Sequence, residues 1–94
     1  MSEYPYEGRI SSDDIINCKD VFSSDGALIG QVEAALAESF IVKSEEGDIE
    51  TKYEIPRLQI ERIVDGAITV KQNKENIRKE YETSFHRHTY KYVV

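Results

Sequence analysis

His86 and His88 stand two residues apart, and on an extended strand both imidazoles would fall on one face at a spacing that can hold one metal ion. Two ligands are too few for a metal centre in one chain. No Cys, Asp or Glu nearby completes the set, so the pair reads as a polar face of a strand, and no metal is expected unless two copies bring two pairs together. Glu45, Glu46, Asp48 and Glu50 crowd a turn. A hydrolase would need two such carboxylates across a cleft with separated pKa values, and calcium would need the EF-hand order of oxygen ligands, which is missing. The cluster reads as a solvated acidic turn. Cys18 is the only cysteine, so no internal disulfide forms, and its expected role is that of a small buried apolar residue. The sequence has no glycine-rich phosphate loop, nucleophile elbow or cysteine–histidine pair. No catalytic residue and no cofactor are expected.

Recognition chemistry is better represented. Lys71, Lys74, Arg78, Lys79, Arg87 and Lys91 interleave with Tyr81, Phe85, Tyr90 and Tyr92, a mixture able to stack bases and contact phosphates. Glu75, Glu80 and Glu82 dilute it, and the whole chain carries a net charge of −6, from 18 acidic and 12 basic side chains. Such a chain repels phosphate backbones at long range. An RNA- or ribosome-associated role is therefore the alternative reading. The favoured one is a protein interface made by Tyr4 and Tyr6 near the N-terminus and by Tyr81, Phe85, His86, His88, Tyr90 and Tyr92 near the C-terminus, docking on a second copy or another protein by strand addition.

The elements that must position these residues follow from turn chemistry and periodicity. At 94 residues, with 39% apolar and 32% charged side chains, one domain with one modest core is expected, and pairing with a second copy would bury more apolar surface. Residues 1–12 read as an extended arm ending in a short helical turn at Ser11-Ser12-Asp13-Asp14, with Ile15 and Ile16 turned toward the body. Three strand pairs follow in residues 13–72. The first turns at Ser24-Asp25-Gly26 and continues with Leu28, Gly30, Val32, Ala34 and Leu36 on one face, where Gly30 signals a bend or a close backbone approach. The second runs from Ser39 through the acidic turn to Ile55, with Thr51, Tyr53 and Ile55 opposed to Glu50, Lys52 and Glu54. Pro56 ends that strand, Leu58, Ile60 and Ile63 turn back through a short corner, and the third pair turns at Asp65-Gly66. Asn73 caps a helix over 73–82, with Ile77 and Tyr81 as a narrow apolar stripe. Residues 83–94 alternate again and form an added tail strand.

Four segments in this order resemble the PRC-barrel family: Asp20-Val21-Phe22-Ser23-Ser24-Asp25-Gly26, Ile29-Gly30-Gln31-Val32, Tyr53-Glu54-Ile55-Pro56, and Ile60 to Gly66 with Ile68-Thr69-Val70 after it. The similarity spans roughly residues 13 to 82, and its motifs are structural. It implies a small β-barrel of about six short antiparallel strands with a C-terminal helix and an extra tail strand. It further implies a module that binds other macromolecules without catalysis, of the stand-alone adaptor type. The chain lacks the extra N-terminal domain of the ribosome-maturation factors and the membrane helix of the reaction-centre subunit found in that family. Met1-Ser2-Glu3-Tyr4-Pro5 has no signal-peptide layout, and the apolar runs fall far short of a membrane span, so a cytoplasmic location without membrane insertion is expected.

Overall fold

The computed structural model describes residues 11–87, and for 84–87 the backbone alone. Helix α1 (Ser12–Ile16) starts at a reciprocal cap. The Asp14 N–H donates to the Ser11 hydroxyl at 3.2 Å, and the Ser11 N–H donates back to the Asp14 carboxylate at 3.3 Å. Ile15 is fully buried beneath this turn, but Ile16 is exposed. Successive helical residues point about 100° apart, so the expectation that both face the body fails for Ile16.

The strands are β1 (Asp20–Phe22), β2 (Leu28–Ala35), β3 (Ser39–Glu46), β4 (Ile49–Pro56), β5 (Ile60–Val64), β6 (Ala67–Val70) and β7 (Glu82–Arg87), with a 3-10 turn over Arg57–Gln59 and helix α2 over Lys74–Tyr81. They form one mixed sheet in the order β5-β6-β1-β2-β3-β4-β7. All the ladders but one are antiparallel. The exception is β1 beside β6, which runs parallel with Val21 opposite Ile68. Two features therefore differ from a closed barrel of about six antiparallel strands. The sheet has seven strands including a parallel pair, and β5 and β7 lie at opposite ends without pairing, so the sheet is open. The protein is mostly β. No described helix is long and apolar enough to cross a membrane.

Turn chemistry is where the sequence expects it. Asp65 and Gly66 both take positive φ (52° and 76°), the backbone that a two-residue hairpin needs. In the β1–β2 turn the buried Ser23 hydroxyl is the hub. It bonds the Asp25 carboxylate and accepts from the Ala27 N–H at 3.1 Å. The Ser23 hydroxyl holds the Asp25 carboxyl below its usual range. Slight desolvation opposes this, and the backbone N–H groups of Asp25, Lys74 and Ala27 add to it.

One buried cluster draws Val21, Ile29, Phe40, Val42, Tyr53, Ile55, Ile60, Ile68 and Val70 from the sheet, Ile15 and Ile77 from the two helices, and Cys18 between α1 and β1. Ile60 lies at one end of the sheet and Tyr53 near the other, so the sheet has to curl around its own side chains to place both in one core. Two irregularities accommodate the curl. The register runs from Val21↔Gly30 to Phe22↔Leu28 and, on the other side of β2, from Val32↔Val42 to Ala34↔Ile41. Ile29 and Glu33 are the extra residues. This shifts the expected face of β2: Ile29 is buried and Leu28 exposed, because the first bulge exchanges their directions. Leu58 is also outside the core, 60% exposed on the 3-10 turn.

Gly30 fulfils the expectation of a close approach. It is buried where β2 meets β3, and a Cβ placed on it would stand 2.8 Å from the Lys43 carbonyl carbon and 3.1 Å from a Val42 methyl. The obstacle is ladder backbone, which cannot swing aside. Gly30→Ala should accordingly destabilise the protein by about 2 kcal/mol. A urea midpoint equal to that of the parent protein would show that β2 and β3 can part without cost.

Candidate functional site

The residues singled out as an interface divide three ways. Tyr4, Tyr6, His88, Tyr90 and Tyr92 lie outside the described residues. Phe85 and His86 stand on β7 opposite Thr51 and Glu50 of β4, so the added tail strand exists over Glu82–Arg87 and is antiparallel to β4. Tyr81 is the last residue of α2, half-buried against the core. Its phenol is pushed upward by desolvation, with Glu80 adding to the shift and a hydrogen bond from Gln72 opposing it. It anchors the helix more than it offers a docking surface.

Among the described residues β7 has a ladder on one side only. The opposite end of the sheet, β5, is also an edge, but a protected one: it is short, it carries a register shift between Ile60 and Arg62, and Glu61 and Arg62 are exposed on it. Charges and bulges of this kind discourage further strand pairing. On β7 the register shift falls at the helix junction, where Lys52↔Ser84 gives way to Tyr53↔Glu82, and Ser84 to Arg87 pair without interruption.

Concavities lined by described residues include two beside the sheet. The larger, about 310 Å³, is lined by Ala37, Glu38, Pro56, Arg57 and Leu58 at the corner where β4 leaves the sheet. Arg57 is buried there because its guanidinium ties three elements together. It donates to the Ser12 hydroxyl of α1 at 2.7 Å and to the Leu36 carbonyl oxygen, while the Arg57 backbone N–H donates to the Glu38 carbonyl at 3.0 Å. The smaller, about 80 Å³, lies between the β3–β4 hairpin and α2. Ser44, Thr51 and Tyr53 supply hydroxyls to it, and Lys74 and Arg78 supply cations from the helix. Sequence reading placed Thr51 and Tyr53 on one strand face and Lys74 and Arg78 in a diffuse basic region, without joining the two sets. The available signal was the spacing of Lys74, Ile77, Arg78 and Tyr81, which puts all four on one helix stripe.

The remaining reactive groups are quiet. No group of three His, Cys, Asp or Glu side chains among the described residues is arranged to hold a metal ion. The acidic turn is solvated, with Lys43 and Lys74 reaching Glu45 at 3.6 Å and Glu46 at 3.4 Å. Cys18 is buried, as expected, and its thiol lies 3.2 Å from the Asp14 carbonyl oxygen, to which it donates. Burial pushes that thiol above its ordinary pKa, and the nearby Asp14 charge pushes the same way.

No family model matches this chain, and neither a curated protein nor a solved structure does. The functional reading therefore stands on the geometry. For Cys18 that geometry has a direct consequence, since a raised pKa and a closed environment both deplete the reactive thiolate. The native protein should resist a disulfide-exchange reagent at pH 8 and react rapidly once unfolded in urea. Prompt labelling without denaturant would mean that α1 opens readily.

Proposed function

We propose that this protein is a non-enzymatic interaction module, acting in the cytoplasm, that self-associates by pairing the β7 edges of two copies. The observation that carries the reading is the place of β7 at the end of the sheet, laddered to β4 and to no other described strand. A free strand edge presents a row of N–H and C=O groups that another strand can satisfy. The residues of β7 are also self-complementary. An antiparallel pair centred on Ser84 sets Glu82 opposite His86, Thr83 opposite Phe85, and Ser84 opposite its own copy, so a carboxylate meets an imidazole at both ends of a twofold-symmetric ladder.

Kinship with PRC-barrel modules belongs to the same proposal. The Asp-Gly turns, the close approach at Gly30 and the helix after the third hairpin support it, while the open ends at β5 and β7 depart from a closed barrel. The RNA-linked alternative draws less support, because Glu75 and Glu80 interrupt the cations along α2.

Solution mass by light scattering tests the reading. The full chain should be a dimer at high micromolar concentration. His86→Glu should raise the dimer dissociation constant about tenfold by placing like charges opposite each other at both ends of the ladder. Combining it with Glu82→Lys should restore association by setting opposite charges across the ladder again. A monomer throughout the concentration range rules out self-association, and a dimer insensitive to both changes places its interface elsewhere than this register.

A further inference from the structure

We propose that the small pocket between the β3–β4 hairpin and α2 is a binding site for a single phosphate-sized oxyanion. This assignment is independent of β7 self-pairing.

The site begins in the sheet. Along β3 and β4 the inward face runs from apolar to polar toward the hairpin tip: Phe40 opposite Ile55, Val42 opposite Tyr53, then Ser44 opposite Thr51 and Glu46 opposite Ile49. The core ends at Tyr53, whose ring is packed inside while its phenol is directed to the pocket. Tyr53 is 4% exposed and Ser44 9% exposed, and neither side chain has a hydrogen-bond partner among the described residues. Both hydroxyls are open to the pocket, since the buried side-chain polar atoms left without a partner among the described residues are Arg57 Nε and Gln59 Oε1, so each can donate to a ligand there. The Tyr53 phenol is held above its ordinary pKa by desolvation, with Arg78 opposing and Glu82 and Glu46 adding to the shift, so it remains an O–H donor at neutral pH.

The helix supplies the charge. Ile77 is fully buried, which fixes the rotation of α2 and brings Lys74 and Arg78, three residues before it and one after, over the pocket. Arg78 makes no ion pair among the described residues. Lys74 reaches the Glu46 carboxylate at 3.4 Å, but that side chain is 70% exposed, and such exposed pairs are weak and readily exchanged. Two cations and three hydroxyls then line one pocket, with the exposed Glu46 carboxylate beside them and Glu82 near enough to act on the Tyr53 phenol. Guanidinium and ammonium groups both form charge-assisted hydrogen bonds to phosphate oxygens, and hydroxyls complete the shell.

Size narrows the ligand. The volume, about 80 Å³, has room for one tetrahedral oxyanion. The ligand is free phosphate or the phosphate group of a monoester whose remainder stays in solvent.

Titration of the full chain with inorganic phosphate at constant ionic strength, followed by amide shifts, decides the matter. Saturable shifts should centre on Ser44, Thr51, Tyr53, Lys74 and Arg78. Arg78→Gln should weaken binding at least tenfold, and Tyr53→Phe several-fold with the ring retained. Glu46→Gln should tighten it by removing the competing carboxylate. Lys79→Gln makes the same charge change on an exposed neighbour away from the pocket and should have little effect. The absence of saturable shifts overturns the proposal, as does an equal loss in the Arg78 and Lys79 variants, which would reveal an unspecific charge effect. Phenyl phosphate separates the sources: binding as tight as phosphate or tighter points to a monoester, and exclusion of the ester points to the free ion.

Discussion

The parallel pairing of β1 with β6 is the constraint on which the structure depends. Without it the sheet is two separate pieces, a five-stranded one of β1 to β4 with β7 beyond and a lone β5–β6 hairpin, and an isolated hairpin is marginal in water. With it, Val21 faces Ile68 across the join, and the Lys19 N–H donates to the Gly66 carbonyl and the Ser24 N–H to the Gln72 carbonyl, each at 2.9 Å. These contacts join segments distant in sequence, so the ordering entropy of the intervening chain opposes them. Burial of the shared cluster offsets that cost, and the cluster exists only if the sheet curls.

The curl in turn explains the positions of the helices and of Arg57. A curled open sheet leaves the ends of its core uncovered. Helix α1 covers one region with Ile15, and α2 covers another with Ile77. The Arg57 guanidinium ties the β4–β5 corner to α1 and to the β2–β3 turn. The Ser24 N–H donates to the Gln72 carbonyl at 2.9 Å, which places the residues just before α2 beside the β1–β2 hairpin. The pocket beneath α2 is therefore a consequence of two registers, one in the sheet and one along the helix.

Much of the local structure was legible in the residues themselves. Asp65-Gly66 and the glycines at 26 and 47 mark turns because only certain residues take positive φ cheaply, and Tyr53 and Ile55 face inward because strand side chains alternate. The Asn73 cap also formed as its sequence indicates: its side chain accepts from the Asn76 N–H at 2.8 Å. The errors came where periodicity was interrupted. Leu28 and Ile29 exchange roles at a bulge, Ile16 follows helical and not strand geometry, and the strand after α2 starts at Glu82 with no loop between.

What the sequence by itself determined about this protein is its set of local elements: strands from alternation, turns from Asp-Gly and Gly-Asp pairs, a capped helix from Asn73, and a buried, unreactive role for Cys18. Strand order, the one parallel ladder, the open ends at β5 and β7, and the meeting of Tyr53 and Ser44 with Lys74 and Arg78 were decided only in the tertiary structure. The physical reason is range. Turn and cap preferences act between residues a few positions apart, whereas strand partners and pocket walls are selected by the single core that distant segments must bury together.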